Sequence, residues 1–160
     1  MHGKQNVALY RHASQSSTFI HEKKYGVASS AVDGNIDPDF KMGSVTSTMD
    51  GECSPWWMVN LDRIYSIHSV ELRNRMDCCS ERLANFTVEL LSWKGASLIT
   101  TAQVEGNEQI GAVGLIIFPE GSRGSVVRVK LRSCNPLSLT EVMVYASESS
   151  NNVKPNLFDN

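Results

Sequence analysis

The chain contains none of the features that would point to a membrane span or to nucleic acid. Its longest apolar stretch, around Leu115 to Phe118, is far shorter than the roughly 20 residues that a transmembrane helix needs. Neither charge dominates, because 15 Lys and Arg residues face 17 Asp and Glu residues, for a net charge of -2. No basic stripe recurs, so we expect neither a transmembrane segment nor a nucleic-acid partner.

Catalytic motifs are also missing from the sequence. The four histidines, at positions 2, 12, 21 and 68, are scattered and match no metalloprotease pattern. No Cys-x-x-Cys spacing is present for zinc or redox chemistry. A pair of carboxylates for glycoside hydrolysis could come from distant strands, but no segment calls for one. The sequence therefore favours a protein that is not an enzyme.

The N-terminus has no apolar leader core, which by itself indicates a cytosolic protein or a chain whose leader has been removed. A glycosylation sequon at Asn85 and four cysteines, two of them adjacent, favour the second option. The cysteines allow three pairings, and if Cys78 bonds Cys79, then Cys53 is left to bond Cys134. Four free thiols, some of them buried, are the alternative. We expect a secreted or extracellular protein.

Alternation of apolar and polar residues predicts β-strands along most of the chain. Five runs alternate in this way, and they contain Trp57, Val70, Phe86, Val127 and Val142. Turn formers separate the runs, a spacing that is typical of an antiparallel sandwich or barrel. The best helical candidate is a brief turn at residues 28–32.

Two adjacent tryptophans, Trp56 and Trp57, follow Pro55 at the start of one of these strands. Neighbouring side chains on a strand point to opposite faces, so the two rings cannot both face the core. Trp57 has the same parity as Val59 and Leu61. We therefore assign Trp57 to the core.

The loop from Arg75 to Arg82 holds two arginines, one carboxylate and two adjacent cysteines. A guanidinium stays charged and offers five N–H donors in a rigid fork, so two of them beside Asp77 form a fixed donor array. Such an array suits a polyhydroxylated ligand. Consecutive Cα atoms lie about 3.8 Å apart, below the usual disulfide separation of about 4.4 to 6.8 Å, so a Cys78–Cys79 disulfide would be uncommon. It would form a compact, apolar surface in the loop.

The acidic turn from Asp33 to Asp39 clusters oxygen atoms of the kind that hard cations bind. It imitates the start of an EF-hand loop, but Pro38 occupies the sixth position, which requires glycine, and Ser44 occupies the twelfth, which requires glutamate. Taken alone, the segment is better interpreted as a solvated acidic turn than as a calcium site.

An ordered series of motifs extends over nearly the whole chain, from residue 6 to residue 146. The series is Asn6-Val7-Ala8, Gln15-Ser16-Ser17, Ala31-Val32-Asp33-Gly34-Asn35, Phe40, Gly43-Ser44, Pro55-Trp56-Trp57, Asn74-Arg75-Met76-Asp77-Cys78-Cys79, Arg82 and Leu137-Ser138-Leu139-Thr140-Glu141-Val142. Together these motifs resemble the F-type lectin (fucolectin) domain family. The resemblance implies an all-β, eight-stranded antiparallel jelly-roll β-sandwich of the discoidin type, with short helical turns in its loops and a bound calcium ion (Ca2+). Residues 1–5 would be an N-terminal extension, residues 6–146 the lectin domain and residues 147–160 a flexible tail or linker.

The resemblance also implies two sites. The fucose-binding residues would be Arg75, Arg82, Asp77, Cys78, Cys79, Phe40, Phe19 and a hydroxyl from Thr48 or Ser47. The arginines would donate to the sugar hydroxyls and ring oxygen, the carboxylate would orient the arginines, and the disulfide and phenylalanines would bury the methyl group. The calcium ligands would be Ser30, Asp33, Asn35, Ser44, Thr140 and Glu141, several of them through backbone carbonyls.

The chain departs from the family pattern at two places. Where the family motif has a histidine, this sequence has Thr48, with Ser47 an equally fair match because the loop is one residue longer. A hydroxyl reaches less far than an imidazole, and losing one good hydrogen bond costs about 0.5 to 1.5 kcal/mol, so affinity or specificity would differ. The second cysteine pair of the family is absent, and we expect a Cys53–Cys134 bridge in its place.

We expect a secreted, calcium-containing lectin that recognises terminal L-fucose on glycans or glycoproteins and catalyses no reaction. A single shallow site binds weakly, so avidity would need a homo-oligomer or a multidomain parent. The alternatives are a discoidin-like adhesion module that binds lipid or protein through exposed apolar loop tips, a lectin fold whose fucose binding is altered or lost, and a carbohydrate module attached to a glycosidase.

Overall fold

The computed structural model of the chain describes residues 4–148, which hold ten strands and three short 3₁₀ turns. The strands are β1 (Gln5–Asn6), β2 (His12–Gln15), β3 (Ile20–His21), β4 (Lys24–Tyr25), β5 (Trp56–Asn74), β6 (Phe86–Lys94), β7 (Ser97–Gly106), β8 (Val113–Ile117), β9 (Arg123–Leu131) and β10 (Leu139–Glu148). The 3₁₀ turns are Ala28–Val32, Phe40–Met42 and Ser80–Arg82. Among these residues, no helix is long and apolar enough to cross a bilayer.

Eight of the described strands form one antiparallel network. Its hydrogen-bonded order is β1-β10-β5-β9-β6-β7, and β2 and β8 also pair with β5. Strands β3 and β4 form a separate hairpin. The predicted all-β, antiparallel fold is therefore confirmed.

Strand β5 belongs to both layers of the fold. Its first half pairs with β2 and β9, whereas its second half pairs with β10 and β8. The change comes between Asn60 and Tyr65, where the register with β9 shifts and Asp62 adopts a left-handed conformation with φ 69°. One continuous strand thus turns from one sheet layer into the other, and a single apolar cluster fills the space between the layers.

The core is built from the alternating residues that the sequence predicts. Trp57, Val59 and Leu61 are all 0% exposed, which confirms the assignment of Trp57 to the core. The indole N–H of Trp57 donates to the carbonyl oxygen of Ala28 at 2.9 Å. This bond fixes the 3₁₀ turn Ala28–Val32, the brief helix predicted there, against the first half of β5.

Both expected disulfides are present, and no cysteine is free. Cys78 and Cys79 bond each other with their Cα atoms 3.7 Å apart, and Cys53 bonds Cys134. Strand β10 continues to Glu148, beyond the predicted domain boundary at residue 146. From residue 149 on, the predicted tail lies outside the described residues.

The packing of Phe86 against strand β7 can be tested by a substitution at Gly106. Gly106 lies opposite Phe86 in the β6–β7 pair, and a Cβ atom added to it would lie 2.3 Å from the Cζ of the fully buried Phe86 ring. Overpacking a core costs about 1 to 3 kcal/mol, so Gly106→Ala should lower the free energy of unfolding by about that amount. Urea unfolding would measure it. The control is Gly111→Ala, where an added Cβ meets nothing within 4 Å; equal stabilities of the two variants would contradict the packing.

Candidate functional site

Loops, 3₁₀ turns and the β3–β4 hairpin line an open cavity of about 450 Å³. All nine residues expected to bind sugar line it, namely Phe19, Phe40, Ser47, Thr48, Arg75, Asp77, Cys78, Cys79 and Arg82. The wall also contains six residues that the sequence did not suggest: His21, Glu22, Lys24, Lys41, Asp50 and Pro136. Residues far apart in the sequence are therefore brought to one place.

The guanidinium of Arg75 is held by the carboxylate of Asp77. Its Nε donates to Oδ1 at 2.8 Å and its Nη2 donates to Oδ2 at 3.0 Å, a two-point pairing that fixes the plane of the fork. Oδ1 also accepts the backbone N–H of Phe40 at 3.2 Å. The hydrogen bond from Arg75, more than any other contact, lowers the pKa of Asp77 from its usual 3.8. Asp77 thus orients Arg75, but no hydrogen bond joins it to Arg82 within residues 4–148.

The guanidinium of Arg82 has no partner among residues 4–148. Arg82 is half-buried in the cavity wall, and its side chain makes no hydrogen bond or ion pair with any residue that the structure describes. The backbone places it there, since the N–H of Arg82 donates to the carbonyl oxygen of Cys79 at 3.1 Å in a 3₁₀ turn. Cys79 precedes that turn in a left-handed conformation with φ 65°. Five unused donors beside a cavity suit a ligand that is rich in oxygen acceptors.

An aromatic wall continues from the arginines along the cavity. The Cζ of Arg75 lies 4.9 Å from the ring centroid of Phe40, which is a cation–π distance. The ring of Phe19 is tilted by 60° to that of Phe40, with 6.0 Å between the centroids. His21 stacks on Phe19 with an interplanar angle of 14° and a centroid distance of 6.1 Å. The cavity therefore has an apolar face next to its charged one.

His21 is one of the six cavity residues that the sequence analysis did not suggest. It lies on the β3–β4 hairpin, and the turn of this hairpin puts Glu22 and Lys23 at φ 48° and 66°. The Nζ of Lys24 donates to the carbonyl oxygen of Lys41 at 2.9 Å, which ties the hairpin to the loop beside it. Strands of two residues carry no measurable alternation, and the turn has neither the glycine nor the asparagine that usually marks such conformations. No sequence signal for it was therefore available.

The hydroxyls at positions 47 and 48 are engaged inside the protein. Thr48 is 0% exposed, and its Oγ1 accepts the backbone N–H of Leu137 at 2.8 Å. The Oγ of Ser47 donates to the carbonyl oxygen of Thr48 at 3.1 Å and lies 3.2 Å from the Oγ of Ser138. Both residues line the cavity, but much of their hydrogen-bonding capacity joins this loop to residues 137 and 138.

The carboxyl group of Glu141 is buried and only partly bonded. The residue is 0% exposed, its Oε2 accepts the backbone N–H of Gly34 at 2.7 Å, and its Oε1 has no partner among the described residues. Burial raises the pKa of Glu141 to about 8, and the negative charge of Asp33 acts in the same direction. An unpaired, buried carboxylate oxygen is costly, and a cation would relieve that cost.

The other residues expected to bind calcium are Ser30, Asp33, Asn35, Ser44 and Thr140. Several of their polar side-chain groups already have protein partners: the Oδ1 of Asp33 accepts the N–H of Asn35 at 2.9 Å, and the Oγ1 of Thr140 donates to the carbonyl oxygen of Asn74 at 3.0 Å. Residues 4–148 contain no cluster of three His, Cys, Asp or Glu side chains that could hold a metal. A cation near Glu141 would therefore need carbonyl and hydroxyl oxygens as well as carboxylates, which is the ligand set that calcium accepts.

Comparisons with known proteins show relatives of this chain in sequence and in fold. A family model described as a NedA-like, galactose-binding domain matches residues 30–129. The fucolectin of Anguilla anguilla is 33% identical over 143 residues, which cover 88% of this chain and 90% of that protein. The lectin domain of lectinolysin complexed with Lewis B antigen has a TM-score of 0.78 at 35% identity, covering 89% of this chain and 97% of that one. The f-lectin from striped bass (Morone saxatilis) serum has a TM-score of 0.81 at 33% identity, covering 92% of this chain and 50% of that one.

The ion pair of Asp77 predicts how stability depends on pH. A carboxylate whose pKa is lower in the folded state stabilises the protein above its unfolded pKa, about 3.9, and loses that contribution as the pH falls through the folded value. Asp77→Asn should therefore be less stable than the wild type near neutral pH, and the two should converge at the acid end of the range.

Urea unfolding at several pH values would measure this difference, and NMR of the carboxyl carbon would give the pKa directly. The control is Asp62→Asn, which breaks an exposed pair with Arg11 and should change stability little. A gap between the wild type and Asp77→Asn that stays constant down to the lowest pH would contradict the assignment.

Proposed function

This chain belongs to the fucolectin (F-type lectin) family, a family of lectins rather than of enzymes, and we propose that its cavity binds terminal L-fucose on glycans. The arginine pair and the aromatic wall support this proposal, because a deoxyhexose presents hydroxyls on one side and a methyl group on another. The lectinolysin domain in complex with Lewis B antigen supports a glycan as the ligand.

The free guanidinium of Arg82 is the observation that carries the proposal. This half-buried charged fork has lost part of its hydration and gains no hydrogen bond from the residues that the structure describes, so a ligand acceptor would bind it with little competition. Arg75 contributes its remaining Nη1 donors, and its plane is already fixed by Asp77. The two guanidiniums would donate to the hydroxyls and ring oxygen of the sugar.

The apolar face of the cavity would bind the methyl group of fucose. Phe19 and Phe40 lie tilted against each other there, and the Cys78–Cys79 disulfide lines the same cavity. Burying one methyl group is worth about 0.8 kcal/mol, enough to favour a 6-deoxy sugar over a polar analogue that would lose hydrogen bonds to water. The chemistry is binding alone, with no bond made or broken.

Thr48 stands where the family motif has a histidine, but the cavity still contains an imidazole from another residue. Thr48 is buried, and its hydroxyl oxygen already accepts the backbone N–H of Leu137, so it has less hydrogen-bonding capacity left for a ligand. His21 presents an imidazole to the same cavity from the β3–β4 hairpin. We therefore propose a fucose site whose specificity differs from that of a relative with a histidine at position 48.

Calcium is the second part of the proposal. The unpaired Oε1 of Glu141 supports a cation at this point, held with the help of Asp33, Asn35 and oxygens of Ser30, Ser44 and Thr140. When bound, the ion would supply positive charge that favours the ionised forms of Glu141 and Asp33 and holds the two carboxylates together. Glu141 lies on β10 and Asp33 follows the first 3₁₀ turn, so the site would tie the acidic turn to the sheet.

We further propose that the protein is secreted and that its partners are fucosylated glycoproteins. Two closed disulfides support an oxidising compartment, where such bonds persist. One cavity of this size binds a single sugar residue weakly, so useful avidity would come from a homo-oligomer or from a multidomain parent.

Removing the free guanidinium should weaken binding sharply. A hydrogen bond to a charged group contributes about 1.5 to 3 kcal/mol, so Arg82→Ala should raise the Kd for a fucoside about 10- to 150-fold. Isothermal titration with methyl α-L-fucoside, supported by a glycan array, would measure this. The control is Arg11→Ala, because Arg11 is exposed, pairs with Asp62 and lies outside the cavity wall.

Two outcomes would contradict the lectin proposal. One is a wild-type array on which fucosylated and unfucosylated glycans give equal signals. The other is fucose binding that Arg82→Ala and Arg11→Ala leave equally strong. Binding to acidic lipid vesicles in place of glycans would instead favour the discoidin-like adhesion module, for which exposed side chains such as Tyr10 and Met42 offer apolar contacts.

Calcium should stabilise the fold through Glu141. At a calcium concentration about 100 times Kd, a ligand that binds only the folded state adds about 2.7 kcal/mol, so adding calcium to chelator-treated protein should raise its Tm. Glu141→Gln keeps the side-chain shape but removes the charge, and this variant should lose the response. Differential scanning calorimetry would measure both, with the exposed Glu120→Gln as control. A calcium response that Glu141→Gln retains in full would exclude this site.

A further inference from the structure

We propose that Asn85 is a site of N-linked glycosylation. Asn85-Phe86-Thr87 is the only Asn-x-Ser/Thr sequence in the 160 residues in which x is not proline. The fucose proposal makes no use of this segment. The inference therefore stands on its own evidence and does not depend on what the cavity binds.

The structure presents the asparagine to solvent on a fixed backbone. Asn85 is exposed and left-handed, with φ 50°, immediately before β6. Its N–H donates to the carbonyl oxygen of Asn107 at 3.3 Å, and its own carbonyl accepts the N–H of Arg132 at 2.6 Å. Its side-chain amide has no partner within residues 4–148, so an attached sugar would displace no hydrogen bond of the folded domain.

The burial of the two residues after Asn85 indicates that the sugar would be attached before the domain folds. Phe86 is 0% exposed and Thr87 is 9% exposed, so the folded domain hides the hydroxyl that a transferase must recognise. Transfer would therefore take place on the unfolded chain. Cys134 is synthesised after the sequon, so the disulfide that it forms with Cys53 cannot close before Asn85 is available.

The covalent step requires no oxidant or reductant. The Nδ2 of Asn85 would lose one proton and form a C–N bond to the anomeric carbon of an oligosaccharide carried on a polyprenyl diphosphate. The bond between that carbon and the diphosphate oxygen would break, and the lipid diphosphate would leave with the electron pair. The oligosaccharide donor and the transferase belong to the same secretory route in which disulfides form.

The test is the intact mass of the chain after secretion from a eukaryotic cell line behind a fused leader. We expect the wild type to exceed its calculated mass by one oligosaccharide, which N-glycosidase F removes while converting Asn85 to aspartate. Asn85→Gln should be secreted at the unmodified mass. Because Asn85 is left-handed and a glutamine could destabilise the turn, a second set of variants changes only Thr87.

Thr87→Val keeps the β-branched shape but removes the hydroxyl, and it should be unmodified, whereas Thr87→Ser retains the sequon and should carry the oligosaccharide. Thermal unfolding of both variants would show that they are folded. A wild-type chain secreted at its unmodified mass would overturn the proposal. An N-glycosidase-sensitive mass that persists in Thr87→Val would also overturn it, because no other sequon could account for that mass.

Discussion

The carboxylate of Asp77 joins two loops, which are also connected by the backbone N–H of Met76 donating to the carbonyl oxygen of Pro38 at 3.0 Å. It fixes the guanidinium of Arg75 in its own loop and accepts the backbone N–H of Phe40 from another. Arg75 in turn covers the ring of Phe40, so one charge aligns both a donor and an apolar wall. Because a cation, an anion and an aromatic ring hold one another in place, the cavity is largely organised before any ligand arrives.

A carboxyl group lies near each end of the acidic turn from Asp33 to Asp39, and the two carboxyl groups are in different environments. Near Phe40 the charge of Asp77 is fully compensated by hydrogen bonds, and its pKa is lowered. Near Gly34 the carboxyl group of Glu141 is buried, one of its oxygens has no partner among the described residues, and burial raises its pKa to about 8. The contrast follows chiefly from burial, which raises the pKa of Glu141, and from the hydrogen bond of Arg75, which lowers the pKa of Asp77. This contrast is the reason that the proposed cation is placed at Glu141 and not at Asp77.

Sequence patterns predict the parts of this protein whose chemistry is local. Alternation places Trp57 and Phe86 in the core, since each strand buries one face. The arginine and cysteine loop is recognisable because its functional groups lie within one short segment. The contribution of His21 is not predictable, because it depends on a hairpin of two-residue strands folding over a distant loop. Nor could the sequence show that the hydroxyl of Thr48 bonds the backbone of Leu137, a contact between residues far apart in the chain.

Strand β5, which belongs to both layers, affects how the domain folds. Gln5 pairs with Ala146, and the second half of β5 cannot complete its ladder until β10 is present, so segments far apart in the chain must meet before that layer is finished. Such long-range pairings make folding slow, since distant segments of chain must be brought together first. During translation, these pairings would not form until β10 has left the ribosome. The vicinal cystine, which needs no distant partner, is the one covalent link that could form long before then.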